Sequence, residues 1–318
     1  MENEQIIEVQ NLTKLFTQRG RPGITALNHI SFSVRKGEIF GLLGPNGAGK
    51  STAIKILTTL QLPTSGTARV RGFDVASQPR DVRRQICAVI QENAIEVYLS
   101  VKNNFQTFGR FHGLRPAEID RRSAHVVELF GLKEYWNERG IDLSGGIKRR
   151  VQVAKMFLVD RPVIFLDEAT TGMDTFNKRA TLDAIREESH KGRTILLTTH
   201  LLEEAEELCD SIVIIHRGTL LARGSVEEIK SMGLQLYSVS LTTPPESLID
   251  RRWFDRWNPV TVEQSRSGFL VSIRSAAQAL DLIQAARAAD SLAQFEISRA
   301  SLEDVFMELI DRKGERHP

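Results

Sequence analysis

A glycine-rich loop that ends in lysine and serine constrains the fold of this chain more than any other stretch. Residues 38–52 read EIFGLLGPNGAGKST, where a short apolar run precedes the pattern G-x-x-x-x-G-K-[ST] and a helical segment follows it. The apolar run predicts a buried strand, and the glycines allow backbone N–H groups to surround phosphate oxygens at the start of the helix. This segment therefore predicts a strand–loop–helix unit that binds nucleotide phosphates.

The side chains at the end of this loop suit a nucleotide with magnesium. Lys50 supplies a positive charge for the β- and γ-phosphates, and the Ser51 hydroxyl can be a ligand of Mg²⁺. A plain glycine turn is the alternative, and the complete motif between a strand and a helix makes it the weaker one. The predicted nucleotide-binding residues of the loop are Gly44, Pro45, Asn46, Gly47, Ala48, Gly49, Lys50, Ser51 and Thr52.

A second apolar run ends in two carboxylates. In PVIFLDEATTGMD (162–174), four apolar residues precede Asp167 and Glu168, which is typical of a buried parallel strand. Ligands of open α/β sheets bind beyond the carboxyl ends of the strands, where this pair would lie. We therefore predict that Asp167 holds Mg²⁺ through water and that Glu168 acts as general base on a water molecule. A solvated strand end is the alternative interpretation.

His200 ends a third strand candidate, TILLTTH (194–200). Its position after an apolar strand would allow a hydrogen bond to a γ-phosphate, whereas most single histidines are structural or solvated. The residues alone leave both interpretations open.

The stretch IDLSGGIKRR (141–150) places Ser144, Gly145 and Gly146 before a helical pattern. Apolar residues at helical spacing form one side of this helix, and charged and amide residues form the other. A hydroxyl, a close backbone and a helix N-terminus together suit an anion. In isolation, a glycine turn before a basic helix would explain the stretch equally well.

The composition excludes several classes of protein. With 41% hydrophobic and 26% charged residues the chain reads as a soluble globular protein, and a net charge of only +2 gives no preference for nucleic acid. The acidic start MENEQIIEVQ is unlike a signal peptide, and runs such as VIFL (163–166) are far shorter than the ~20 apolar residues of a membrane span. Two cysteines at unrelated positions predict no disulfide framework and favour the cytosol.

Together the motifs resemble those of the ATP-binding subunits of ABC transporters. GPNGAGKST, the Gln91 that follows CAVI, LSGG (143–146), FLDEATTGMD and His200 occur in the order of that family, over roughly residues 5–225. The resemblance implies an α/β fold of the P-loop NTPase type. Its parts would be a mixed-sheet core, an antiparallel β subdomain and a helical subdomain at about residues 94–160.

The resemblance also implies roles for individual residues. Phe16 would stack on adenine, although an aromatic residue at a half-buried strand end is the alternative. Gln91 would contact Mg²⁺ or the attacking water, and His200 would contact the γ-phosphate. Asp174 would lie at the interface between two subunits, a role compatible with an N-cap of the helix that follows.

In this family, the LSGG element contacts the γ-phosphate that a second subunit holds. Ser144, Gly145 and Gly146 would thus complete the site of a partner, and two subunits would enclose two ATP molecules in a homodimer or with a paired ATPase subunit. The family's usual glutamine after LSGG is replaced by Ile147, so no polar role is expected at that position.

A new series of strand and helix signals begins after about residue 230. Strand and helix signals in the order β-α-β-β-α-β predict a ferredoxin-like α+β domain at residues 231–311, after a nucleotide-binding domain at 1–230 and before a disordered tail at 312–318. SLEDVFMELI (301–310) resembles the C-terminus of ATPases that serve ABC-2 type exporters, such as the daunorubicin-resistance group. An amphipathic helix docked on its own domain is the alternative.

These features together predict an ATPase that uses ATP and Mg²⁺ and works on separate membrane permease subunits at the cytoplasmic face of the membrane. The alternatives are a soluble ABC-type ATPase that acts on nucleic acid or ribosomes, a nucleotide-gated regulatory module and a GTPase. The sequence does not identify the cargo, because the membrane subunits would select it.

Overall fold

The computed structural model describes residues 4–18, 21–90, 95–232, 237–244, 246–247, 249–299 and 301–314. The chain divides into two compact units, Met1–Ser225 and Val226–Pro318. The predicted boundary at residue 230 thus falls inside a helix of the second unit. Among the described residues, no helix combines the length and the apolar character that crossing a membrane requires.

The first unit alternates strands with helices. Its strands are β1 (Gln5–Gln18), β2 (Arg21–Arg35), β3 (Ile39–Leu43), β4 (Ser65–Val70), β5 (Phe73–Asp74), β6 (Ile86–Val89), β7 (Val163–Asp167), β8 (Thr194–Thr199), β9 (Ser211–His216) and β10 (Thr219–Ser225). Its helices are α1 (Lys50–Leu57), α2 (Pro79–Gln85), α3 (Val101–Phe111), α4 (Pro116–Leu129), α5 (Gly145–Met156), α6 (Thr175–Ser189) and α7 (Leu202–Leu208), with a 3₁₀ turn at Gly140–Asp142.

A mixed sheet with the strand order β10-β9-β3-β8-β7-β6 forms the centre of this unit. Its neighbouring strands run parallel except β10, which pairs antiparallel with β9. Every residue of β3, β7 and β8 is buried, as expected for parallel strands that are covered on both faces. The order places the ends of β3, β8 and β7 side by side at the edge where the predicted site residues follow.

Two hydrophobic clusters cover the two faces of this sheet. Because successive strand residues point to opposite faces, Phe165 packs with α1 and the antiparallel sheet β2-β1-β4-β5, whereas Ile164 and Leu166 pack with helices α3 to α6. The predicted mixed-sheet core, antiparallel β subdomain and helical subdomain are therefore confirmed.

The second unit is a small α+β fold. It comprises α8 (Val226–Met232), β11 (Tyr237–Thr242), a 3₁₀ helix (Arg251–Trp257), β12 (Thr261–Ser265), β13 (Gly268–Ile273), α9 (Ala276–Ala288), β14 (Gln294–Arg299) and α10 (Leu302–Gly314). Its sheet has the order β12-β13-β11-β14 with antiparallel neighbours, so β11–β12 and β13–β14 are both crossover connections. This arrangement confirms the predicted ferredoxin-like topology.

Two details of the second unit differ from the prediction. The first crossover contains a 3₁₀ helix, Arg251–Trp257, in place of the predicted α-helix; it begins after Asp250, whose carboxylate accepts a hydrogen bond from the Trp253 N–H at 3.0 Å. Residues 312–314, predicted as part of a disordered tail, belong to α10, and 315–318 lie outside the described residues.

Candidate nucleotide-binding and hydrolysis site

The glycine-rich loop joins β3 to α1 and packs closely on neighbouring backbone. Gly44 has φ +153° and Gly49 has φ +109°, and a Cβ at these positions would lie 2.1 Å from the Ile215 carbonyl oxygen and 2.4 Å from that of Ala26. Only glycine fits such close approaches at positive φ. The loop is thereby fixed against β9 and β2, with its residues directly before the N-terminus of α1.

Lys50 lies inside this loop and is 5% exposed. Its ammonium group donates to the carbonyl oxygens of Gly44 at 2.6 Å and Pro45 at 3.2 Å. Burial lowers the pKa of Lys50, and the carboxylates of Glu168 and Asp167 oppose that shift. Bound phosphates would stabilise the charged ammonium further, as the predicted role requires.

A cleft of about 470 Å³ opens beside the loop. Its lining contains seven of the predicted loop residues, among them the predicted catalytic Lys50, together with the predicted general base Glu168 and four residues that the sequence did not indicate. The lining residues are Ile24, Thr25, Ala26, Asn46, Gly47, Ala48, Gly49, Lys50, Ser51, Thr52, Glu168 and Arg217. A cleft of this size suits a small organic ligand.

Residues distant in sequence complete this cleft. Residues 24–26 belong to β2, and Arg217 lies in the turn between β9 and β10 with φ +47°. An arginine in a surface turn carries no nucleotide motif, so only the folded structure reveals it. Phe16 on β1 pairs with Ile24 of the cleft and is 40% exposed, although it is not one of the lining residues.

Asp167 and Ser51 come together at the ends of β7 and the phosphate loop. The Ser51 hydroxyl donates to Asp167 Oδ1 at 3.3 Å, and the Thr198 hydroxyl donates to the same oxygen. Asp167 is 1% exposed. Magnesium commonly takes one or two protein oxygens together with phosphate and water oxygens. The hydroxyl–carboxylate pair fits that requirement.

Glu168 follows Asp167 in a left-handed backbone conformation, with φ +53°. Its N–H donates to the backbone oxygen and the hydroxyl of Thr198, each at 3.1 Å. Its side chain is held by His200 Nδ1 at 3.3 Å from Oε1 and by the Thr171 hydroxyl at 3.3 Å from Oε2. The backbone therefore directs this carboxylate to the cleft, with His200 as its direct neighbour.

Arg149 of α5 holds the backbone around these carboxylates, a contact that the sequence did not predict. Its guanidinium donates to the carbonyl oxygens of Asp167, Glu168 (Nη2 at 3.0 Å) and Ile90 (Nη1 at 3.1 Å), and to Gln152 Oε1 at 2.9 Å. Arg149 is 7% exposed. Burial lowers its pKa and the charges of Asp167 and Glu168 oppose that shift. Arg149 thus ties α5 to the ends of β6 and β7.

Replacing Arg149 with lysine should lower kcat for ATP hydrolysis by about 10- to 100-fold, with KM for ATP changed less than about threefold. Lysine keeps the charge, but its donors all lie on one atom and cannot span the carbonyl groups that the two guanidinium nitrogen atoms reach, so Glu168 would lose its fixed position. Steady-state ATPase kinetics measure both constants.

Arg150→Lys is the matched control, because Arg150 is buried in the same helix and donates to the carbonyl oxygens of Phe130 and Gly131, each at 3.3 Å. A general loss of helix stability would lower kcat equally in both variants, and that result would remove the positioning role.

Ser144, Gly145 and Asp174 are exposed and Gly146 is buried, and none of the four lines the cleft. The Ser144 hydroxyl accepts a hydrogen bond from the Ile147 N–H at 3.3 Å and caps α5, while a Cβ on Gly146 would lie 2.9 Å from the Gly172 carbonyl oxygen.

Asp174, Ile147 and Gln91 were also singled out in the sequence. Asp174 caps α6 by accepting from the Asn177 N–H at 2.9 Å, which also lowers the pKa of its carboxyl group. Ile147 is buried among apolar side chains, in agreement with the absence of a polar role. Gln91, predicted to contact Mg²⁺ or water, lies outside the described residues.

Comparisons with known proteins agree with this geometry. The family model described as ABC transporter matches residues 27–171. The chain is 40% identical over 230 residues to the doxorubicin resistance ATP-binding protein DrrA of Mycobacterium tuberculosis, which covers 72% of this chain and 69% of that protein. It is 33% identical over 307 residues to the daunorubicin/doxorubicin resistance ATP-binding protein DrrA of Streptomyces peucetius, with 95% and 92% covered.

A solved structure of the ATP binding subunit of an ABC transporter superposes with a TM-score of 0.64 at 31% identity, covering 71% of this chain and 92% of that one. Fold, phosphate loop and paired carboxylates define a P-loop ATPase. Within that class, the chain belongs to the ATP-binding subunits of ABC transporters, in the group of ABC-2 type exporter ATPases. The predicted family and enzyme class are confirmed.

Proposed function

We propose that two copies of this chain, or one copy and a paired ATPase subunit, close around two ATP molecules and drive export through separate membrane-spanning subunits. The observation that carries the proposal is the placement of Ser144 and Gly145, which are exposed at the N-terminus of α5 and absent from the lining of the chain's own cleft. A helix N-terminus suits a phosphate, because its backbone N–H groups and the O–H of its N-cap serine can donate hydrogen bonds to the phosphate oxygens. A second copy would supply that phosphate.

The surface around Ser144 also suits an interface. Gly146 contacts the backbone of Gly172, so the LSGG element and the loop that leads to Asp174 lie side by side. Phe176, two residues beyond, is 90% exposed. An exposed aromatic side chain beside such a loop is consistent with a surface that a partner covers.

Residues in and beside the cleft would each perform a separate part of ATP hydrolysis. Lys50 and the loop N–H groups bind the β- and γ-phosphates, and Phe16 stacks on adenine. Mg²⁺ held by Ser51 and Asp167 would neutralise phosphate charge. Glu168 accepts a proton from the attacking water while the bond from the γ-phosphorus to the bridging oxygen breaks, which releases ADP and phosphate.

Three further residues would support that step. His200, 3.3 Å from Glu168, orients the carboxylate and donates toward the γ-phosphate, and the partner's Ser144 stabilises the same phosphate from the other side. Gln91 would contact Mg²⁺ or the attacking water.

Export is supported by the resistance proteins that this chain resembles, and the membrane subunits would determine the cargo. The chain would act at the cytoplasmic face of the membrane as a peripheral subunit.

ATPase stimulation distinguishes this function from the alternatives. We expect hydrolysis to rise in proteoliposomes that contain the partner permease subunits, and not on addition of DNA or ribosomes. The Glu168→Gln variant in the same proteoliposomes is the control for contaminating ATPases. Stimulation by nucleic acid or ribosomes without any effect of the permease would contradict the proposal.

A further inference from the structure

We infer that the first unit contains a second anion-binding site, for a phosphate-bearing ligand, at the end of the core sheet opposite the phosphate loop. A cavity of about 800 Å³ lies there. Lys36, Gln85, Arg161 and Arg193 line it, and each of them lies within three residues before the first residue of one of the neighbouring parallel strands β3, β6, β7 and β8. The loop at Gly44 follows the other end of β3. The two sites therefore occupy opposite ends of the same strands.

Positive charge dominates this basic cavity. Seven lysine and arginine side chains line it, against two carboxylates. The cations are Lys36, Arg71, Arg121, Arg122, Arg161, Lys191 and Arg193. This excess is local, because the chain as a whole carries a net charge of only +2. Cavities lined by one sign of charge focus the field and attract counter-ions.

One of the two carboxylates is already occupied by several basic groups. The side chain of Glu188 is 3% exposed and lies 2.5 Å from Lys191 Nζ, 3.4 Å from Arg193 Nε and 3.4 Å from His125 Nε2. A single buried carboxylate cannot neutralise both fixed cations. Glu188 thus holds Lys191 and Arg193 at the cavity wall and leaves an excess of positive charge.

Three arginines of the cavity are held in place by hydrogen bonds to the protein. Arg122 donates to Glu118 Oε1 at 2.6 Å and to the Leu158 carbonyl oxygen at 3.3 Å, and Arg193 donates to the Val159 carbonyl oxygen at 2.8 Å. Arg161 donates to the Arg84 carbonyl oxygen at 2.6 Å. Because these side chains are already ordered, a ligand would not have to order them.

The chemistry of the wall selects the class of ligand. A guanidinium has five N–H donors in a planar fork that matches phosphate oxygens, and the bonds above use only part of them. A volume of about 800 Å³ suits a small molecule, and the many cations favour a ligand with more than one negative charge. A ligand with two phosphate groups meets both conditions. It could be a free diphosphate in solution or the headgroup of an anionic lipid.

Binding to the full chain tests the inference, with the phosphate loop first saturated by Mg²⁺ and a non-hydrolysable ATP analogue. Inorganic pyrophosphate is titrated by calorimetry, and vesicles of phosphatidylcholine with and without cardiolipin, whose headgroup carries two phosphates, are tested by flotation. We expect saturable binding of pyrophosphate or of the anionic vesicles, and the probe that binds identifies the source. The double variant Arg71→Glu/Arg121→Glu should weaken this binding by about tenfold or more.

Both substituted arginines are exposed, so the fold should persist, and unchanged ATP hydrolysis verifies it. Arg110→Glu/Arg115→Glu is the matched control, since both are exposed arginines that do not line the cavity and the change in net charge is the same; it should alter binding by less than about twofold. The inference is overturned if neither probe binds saturably, or if this control weakens binding as much as the double variant of the cavity.

Discussion

Glu168→Gln should leave ATP binding intact and lower the rate of ATP hydrolysis by about 10²- to 10⁴-fold, the usual contribution of a general base. Glutamine preserves the shape, with its oxygen placed to accept from His200 and its amide to donate to the Thr171 hydroxyl, but it cannot accept a proton from water. The left-handed backbone at Glu168, held by Thr198 and Arg149, directs this carboxylate to the cleft. Calorimetric ATP binding and single-turnover hydrolysis measure the two effects separately.

The exposed Glu203 offers a control for this substitution. Glu203→Gln changes the same charge on α7, away from the lining of the cleft, and should hydrolyse ATP at the wild-type rate. If Glu168→Gln also hydrolysed ATP normally, Glu168 would not be the base and another group would have to be sought.

Local sequence patterns were sufficient to predict the strand–loop–helix unit and the two carboxylates that follow β7. The sequence places Gly44 to Ser51 between an apolar run and a helix, and each of these signals spans only a few residues. Because ligands bind at the carboxyl ends of parallel strands, Asp167 is expected near Ser51, and the Ser51 hydroxyl does lie 3.3 Å from Asp167 Oδ1. The alternation of strands and helices likewise predicted the ferredoxin-like unit.

Contacts between distant segments could not be predicted in this way. Arg149 was placed on the polar side of an amphipathic helix, yet it is buried because the carbonyl groups at the ends of β6 and β7 accept its hydrogen bonds. Arg217 and Ile24 reach the cleft only because β9 and β2 pack against the phosphate loop. Helical periodicity indicates on which face of a helix a residue lies, but it does not indicate which other segment of the chain packs against that face.

The central claim is that each ATP site is completed by a second copy of the chain, and mixing two inactive variants tests it most directly. Lys50→Ala disables the phosphate loop of its own copy. Ser144→Ala disables the element that would complete the partner's site. In a mixed dimer, one site carries both defects, and the other combines an intact phosphate loop with an intact LSGG element.

The measurement is ATP hydrolysis by equal amounts of the two variants, unfolded and refolded together or co-expressed, compared with each variant alone. Random pairing makes about half of the dimers mixed, each with one intact site of two, so activity should recover to about a quarter of the wild-type value. If each site is complete within one copy, the mixture will show only the average of the two inactive variants. That result would contradict the account.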